Sequence, residues 1–182
     1  MTSRSSITSA SRPISTLAEG QTALGVILAL GMAAVVGGAL AFEHIGGFIP
    51  CMLCLQQRLP YYAGIPVAAL AALSSALGCP PALTRTLFLI AAALMAAGAA
   101  LGVYHSGVEW GWWPGPTNCA TGSTTGLSTN AGNLLDDLNA MRPPSCSEAA
   151  GRFLGLSFAG WNVIAASGLA LLALKGAFAS RR

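Results

Sequence analysis

At 182 residues, with 54% hydrophobic residues, 8% charged residues and a mean hydropathy of +0.64, the chain is too apolar for a water-soluble domain of its size. A formal charge of +3 from so few ionised groups indicates neither a nucleic-acid surface nor a general acidic partner. The class that remains is an integral membrane protein, in which the few charges inform by position.

In chain order, a polar tail over 1–21 precedes a stretch without Asp, Glu, Lys or Arg from Thr22 to Phe42. Such a stretch is long enough for a helix to cross roughly 30 Å of hydrocarbon. Ala39-Leu40-Ala41 resembles a signal-cleavage site. The apolar run, however, outlasts the usual signal core of about 7–15 residues, and the polar leader is long for a signal, so a retained helix is expected. A first loop over 43–58 holds PCMLCLQQR, and a second helix is expected from Leu59 to Gly78. CPPALTR, Cys79 to Arg85, reads as a tight turn in which Pro80 and Pro81 end one helix before the next. The third helix is expected from Thr86 to Tyr104 and the fourth from Phe153 to Leu174. Between them lies the longest non-apolar stretch, 105–152, and loops of that length are usually functional. The expected fold is therefore all-α: one domain over 22–177, a bundle of four transmembrane helices, followed by a short tail over 178–182.

Arg4, Arg12, Arg85, Lys175, Arg181 and Arg182, six of the nine basic residues, fall on one side of this bundle. The positive-inside rule makes that side cytoplasmic, with both termini there and the two loops outside. Five of the six acids, Glu43, Glu109, Asp136, Asp137 and Glu148, share the outer side with Arg58, Arg142 and Arg152.

The same topology puts Cys51, Cys54, Cys119 and Cys146 on the oxidising face and leaves Cys79 on the reducing side. Two disulfides can form there, most simply Cys51 with Cys54 and Cys119 with Cys146, although four cysteines allow three connectivities. A Cys-x-x-Cys at a helix N-terminus sits where the backbone dipole favours a thiolate. The Cys119 and Cys146 pair lies in a Gly, Ser, Thr and Pro-rich loop, open to a protein partner. A loop disulfide beside a membrane-level dithiol suggests an electron relay from a soluble thiol protein to a lipid-soluble acceptor, a quinone. The bland alternatives are a structural four-helix membrane protein whose disulfides only staple loops, and a zinc site built from the two pairs. A staple suits Cys119 and Cys146. It suits Cys51 and Cys54 poorly, because two intervening residues close too small a ring to stabilise a fold much. An oxidising compartment without a second Cys-x-x-Cys argues against zinc.

Arg58 stands one helical turn after Cys54, as a headgroup anchor or as a cation for a thiolate or a reduced quinone. His44 reads as interfacial, and His105 as a candidate to tune quinone protonation. Trp110, Trp112 and Trp113 read as an aromatic belt, and NLLDDLNAM, 133–141, as an amphipathic helix. Gly98 and Gly102 form a G-x-x-x-G packing device.

PCMLCLQQR at the second helix, YHSGVEWGWWPGPTNC after the third and FLGLSFAGWN at the fourth resemble the disulfide bond formation protein B (DsbB) family, over almost the whole chain. The resemblance implies a protein-dithiol:quinone oxidoreductase of the bacterial inner membrane with its active face in the periplasm. Its implied partner is a DsbA-like thioredoxin-fold dithiol oxidase, and its implied cofactor a membrane quinone, ubiquinone or menaquinone; this route is known to keep the periplasm oxidising. Carried over by motif, reduced DsbA attacks Cys119 and releases Cys146, Cys146 attacks Cys51, and Cys54 is freed to contact the quinone. Arg58 then supports quinone binding and His105 lies near the ring. Two features depart from the pattern: Gln57 stands where many members carry an acid, and Cys79 has no place in the relay. The vitamin K epoxide reductases also pair a four-helix bundle with a membrane-level CxxC, but there the motif falls on the last helix, not the second.

Overall fold

A computed structural model describes residues 14–116 and 146–179. Arg4, Arg12, Cys119, the 133–141 segment, Arg142, Arg181 and Arg182 lie outside the described residues. Four helices carry the fold: α1 (Ile14–His44), α2 (Met52–Ala76), α3 (Pro81–Glu109) and α4 (Phe158–Phe178). Each is long and apolar enough to cross a membrane. The bundle is all-α apart from a small hairpin, β1 (Arg152–Phe153) paired antiparallel with β2 (Leu156–Ser157).

The helix ends follow local chemistry. α2 closes with Gly78 in the left-handed region (φ 68°), so that the Cys79 N–H reaches back to the Ser74 carbonyl at 2.9 Å. Pro80 then caps α3, and Pro81 takes the first helical position, where a missing N–H costs nothing. α4 starts at Phe158 because Ser157 caps it, its hydroxyl accepting the Gly160 N–H at 3.2 Å. The residues just before, although apolar, turn back through Leu154 (φ 52°) and Gly155 (φ 82°), the positive-φ pair that a two-residue hairpin needs.

Small residues set the packing between helices. Leu28, Met32, Tyr61, Phe88 and Met95 are the large buried side chains, and alanines fill most of the remaining core. Where α1 crosses α2, a Cβ on Gly25 would lie 2.8 Å from the Ala72 backbone nitrogen, so glycine alone permits that approach. Gly102 does the same for α3 against α4, where a Cβ would lie 2.8 Å from Val163 Cγ2. Of the G-x-x-x-G pair, Gly102 is thus the tight contact with α4, while Gly98 faces both Pro60 of α2 and Ala166 of α4 at ordinary contact distance.

Candidate functional site

Cys51 is the N-cap of α2. Its backbone is extended (φ −76°, ψ 171°), as an N-cap position requires, and its Sγ accepts the Cys54 N–H at 3.3 Å. A sulfur therefore does what a Ser or Asp oxygen does at other helix starts, with the positive end of the helix dipole beside it. The Cys54 Sγ lies 2.8 Å from it and the His105 Nε2, from α3, lies 3.6 Å from it. The Cys54 thiol bonded to Cys51, followed by the His105 contact and the Cys54 N–H, holds the Cys51 thiol well below the ordinary value of 9.0, against the opposing effect of burial. Cys51, Cys54 and Cys79 are free thiols, and Cys146 is disulfide-bonded.

The two sulfurs of the pair have different neighbours. Cys51, 2% exposed, shares a buried cluster with Leu53, Val108 and Cys146. Cys54 instead lines a cavity of about 310 Å³ together with Gln57, Arg58, Tyr61, His105 and Asn162, and Cys51 does not. The remaining walls are mostly apolar, and Phe42, Phe48 and Phe158 cluster at one end with ring centroids 4.9–6.1 Å apart. Those rings come from the end of α1, the first loop and the start of α4, so the cavity exists only in the assembled bundle.

Arg58 sits one turn after Cys54 and is paired with Glu43 at the end of α1. The pair is partly buried, with the two side chains 12% and 26% exposed. Gln57 joins a buried polar chain: its Nε2 lies 2.7 Å from His105 Nδ1, and its Oε1 accepts from Asn162 Nδ2 at 2.6 Å. Asn162 also donates to the Gly98 carbonyl at 3.2 Å and accepts from the Tyr61 hydroxyl at 2.6 Å. The close approach of α3 and α4 at Gly102, where a Cβ would lie 3.1 Å from Asn162 Nδ2, helps to hold Asn162 near that carbonyl, so this glycine shapes the site as well as the packing. On the other side of the imidazole, Glu109 Oε1 lies 3.8 Å from Nε2, its side chain 4% exposed.

The structure thus brings Cys51, Cys54, His105 and Cys146 to one end of the bundle, with Arg58 one turn below. Cys119 lies outside the described residues. Tyr61, Glu43 and Asn162 were not singled out by sequence reasoning. Tyr61 follows Gln57 at helical spacing and Glu43 was visible as an acid on the same side, whereas nothing local marks Asn162. The belt expected of three tryptophans holds two exposed members, Trp110 and Trp112, at 57% and 66% exposure. Trp113 instead turns inward against the Cys51 cluster. Gly111 (φ 72°) ends α3 by letting the Trp112 N–H reach the Gly107 carbonyl at 2.9 Å. The chain then folds back, and Trp113 Nε1 donates to the Tyr104 carbonyl at 2.8 Å.

Four membrane-length helices with a dithiol at one end define a multi-pass membrane protein with a thiol–disulfide centre. Comparison with known proteins narrows the class. The family model described as disulfide bond formation protein DsbB matches residues 21–176. A disulfide bond formation protein B from Saccharophagus degradans is 31% identical over 152 residues, which cover 82% of this chain and 87% of that protein. No solved structure matches the chain. The chain belongs to the DsbB family and is a disulfide-bond-forming oxidoreductase.

Proposed function

We propose that the protein reoxidises a periplasmic DsbA-like dithiol protein and delivers the electrons to a membrane quinone, ubiquinone or menaquinone. The observation that carries this reading is the placing of the two sulfurs: Cys51 is buried in one cluster with Cys146, and Cys54, packed at the edge of that cluster, also lines an apolar cavity. On this reading a partner thiolate attacks Cys119 of a Cys119–Cys146 disulfide, and Cys146 leaves as a thiolate. The second partner thiol then resolves the mixed disulfide and frees Cys119. Cys146 attacks Cys51 of the oxidised Cys51–Cys54 pair, and Cys54 leaves as a thiolate at the cavity wall. Attack by Cys119 on Cys146 restores the loop disulfide and returns Cys51 as a thiolate, so that two electrons rest on the Cys51 and Cys54 pair.

The cavity fits a quinone, since its walls are apolar and aromatic, Cys54 and Arg58 offer a sulfur and a cation, and the His105 ring stands in the wall beside them. A bound quinone supplies a two-electron, two-proton acceptor, which balances the two electrons and two protons lost by the partner dithiol. The chain's own residues do the rest. Cys51 and Cys54 re-form their disulfide as their two electrons and two protons pass to that acceptor; the lowered pKa of Cys51 makes it the better leaving group in the step before, when Cys119 attacks Cys146. Arg58, steadied by Glu43, holds positive charge where negative charge develops.

Purified protein given a reduced thioredoxin-fold partner and quinone is expected to form quinol, and turnover with neither ubiquinone nor menaquinone would overturn the reading. Cys54→Ser is expected to stop quinol formation while its loop disulfide still traps, on Cys119, a partner variant that keeps only its attacking cysteine, with Cys146 leaving as the thiolate. A Cys54→Ser protein that keeps full function in cells would point instead to disulfides that only staple loops.

A further inference from the structure

We propose that Gln57 and Asn162 are positioning residues that fix the tautomer of His105, so that its Nε2–H is presented to Cys51 and its Nδ1 is left as the acceptor. The inference deepens the electron-relay reading and rests on it for the role of Cys51. It follows from four contacts taken in order. The Gly98 carbonyl can only accept, so the Asn162 atom 3.2 Å away is the amide nitrogen. That nitrogen also faces Gln57 at 2.6 Å, so the facing Gln57 atom is its oxygen. The Tyr61 hydroxyl, 2.6 Å from the Asn162 oxygen, supports the same orientation. Gln57 therefore turns its NH₂ toward His105 Nδ1 at 2.7 Å, and a nitrogen facing a donor at that distance must offer a lone pair.

The neutral ring then carries its proton on Nε2, where Cys51 Sγ lies at 3.6 Å and Glu109 Oε1 at 3.8 Å. Gln57, Tyr61 and His105 are buried, 6%, 1% and 3% exposed, and Asn162 is half-buried, so water has little access to the contacts that set these roles. One backbone carbonyl on α3 thus decides, through two amides from two other helices, which imidazole nitrogen faces the redox sulfur.

A carboxylate at position 57 reverses the outcome. It accepts from both neighbours, draws the imidazole proton to Nδ1 and turns the Nε2 lone pair toward Cys51. Cys51 loses a donor, and the Sγ atoms of Cys51 and Cys54 with His105 Nε2, all within 4.8 Å of one another, then form a set of three lone-pair donors. Gln57 keeps the third member of that set a hydrogen-bond donor, which serves a thiolate and disfavours a metal.

The test uses the full-length reduced protein in detergent, labelled with ¹⁵N-histidine, without partner or quinone. Wild type is expected to show His105 in the Nε2–H form and Gln57→Glu in the Nδ1–H form. Asn162→Asp, which puts an acceptor where Gln57 needs a donor, is expected to turn Gln57 over and give the Nδ1–H form without touching His105. Thiolate absorbance is expected to move the Cys51 titration up by about one pH unit in Gln57→Glu, the loss of one hydrogen bond to a charged group. An Nδ1–H tautomer in wild type overturns the proposal, and that measurement needs no variant to fold. A shifted titration with an unchanged tautomer also overturns it, since the added charge then suffices. Failure of quinol formation with the tautomers as expected would count against the relay and leave this assignment standing.

Discussion

Replacing Gly107 by alanine tests how firmly Trp113 roofs the dithiol. A Cβ on Gly107 would overlap Cζ2 and Cε2 of the Trp113 indole and stand 2.7 Å from Cη2. Ordinary carbon contact begins near 3.4 Å, so the ring must retreat by about 1 Å or more. The indole has little freedom to do so. Its Nε1–H is bonded to the Tyr104 carbonyl at 2.8 Å, and its ring lies parallel to Tyr104 within 6°, centroids 6.0 Å apart. Giving up the hydrogen bond costs about 1 kcal/mol and the ring contact about 0.5–1.5 kcal/mol. Gly107→Ala is therefore expected to destabilise the bundle by about 2 kcal/mol, in the range usual for overpacking. It should also speed alkylation of reduced Cys51, because Trp113 packs against the Cys51 and Cys146 cluster. Reversible unfolding in mixed detergent measures the first effect and mass-resolved alkylation the second. Trp113→Ala supplies the control, since in that background Gly107→Ala has nothing to displace and should cost less than about 0.5 kcal/mol. An equal cost in both backgrounds would refute the seating of Trp113 on Gly107.

The site and the bundle give three further expectations. The Cys51 thiol is depressed in the folded protein, so the reduced form gains stability as pH rises from the folded value toward 9.0 and loses it as pH falls back through the folded value. A Cys79→Ser protein should accordingly hold one thiolate per chain at neutral pH by ultraviolet titration, and the reduced form should unfold more readily as that thiolate is protonated. Arg58→Ala leaves the Glu43 carboxylate partly buried and unpaired, which is expected to cost about 1–3 kcal/mol and to raise the quinone KM more than it lowers kcat. The Arg58→Ala, Glu43→Gln double variant should recover stability but not KM, as unfolding and steady-state quinol formation would show. Gly25→Ala meets Ala72 backbone at 2.8 Å and is expected to cost about 1–3 kcal/mol. Gly64→Ala meets only the Met32 sulfur and the methyl ends of Met32 and Met95, which can move, and should cost less than about 1 kcal/mol in the same assay.

The sequence by itself determined the four helices, because a bilayer demands an apolar run of fixed length and the charges between the runs mark its edges. It also placed a dithiol beside the second helix with Arg58 four residues on, although with the helix starting only at Leu59; α2 begins at Met52, capped by Cys51, and takes Cys54 and Arg58 into its first two turns. Gln57 shows where local reading stops. Its partners His105 and Asn162 lie 48 and 105 residues away, and no periodicity in a single segment can say that three helices will meet there. Trp113 shows a second kind of limit. An aromatic residue near a membrane surface reads as a belt residue until a glycine turn two positions earlier sends it back over its own helix. Only the tertiary structure decided that Cys51 is buried in one cluster with Cys146 while Cys54, at the edge of that cluster, also lines the cavity. The physical reason is that membrane insertion depends on the length and apolarity of one segment, whereas the redox site depends on polar groups that become partners only after the glycine-lined helices close.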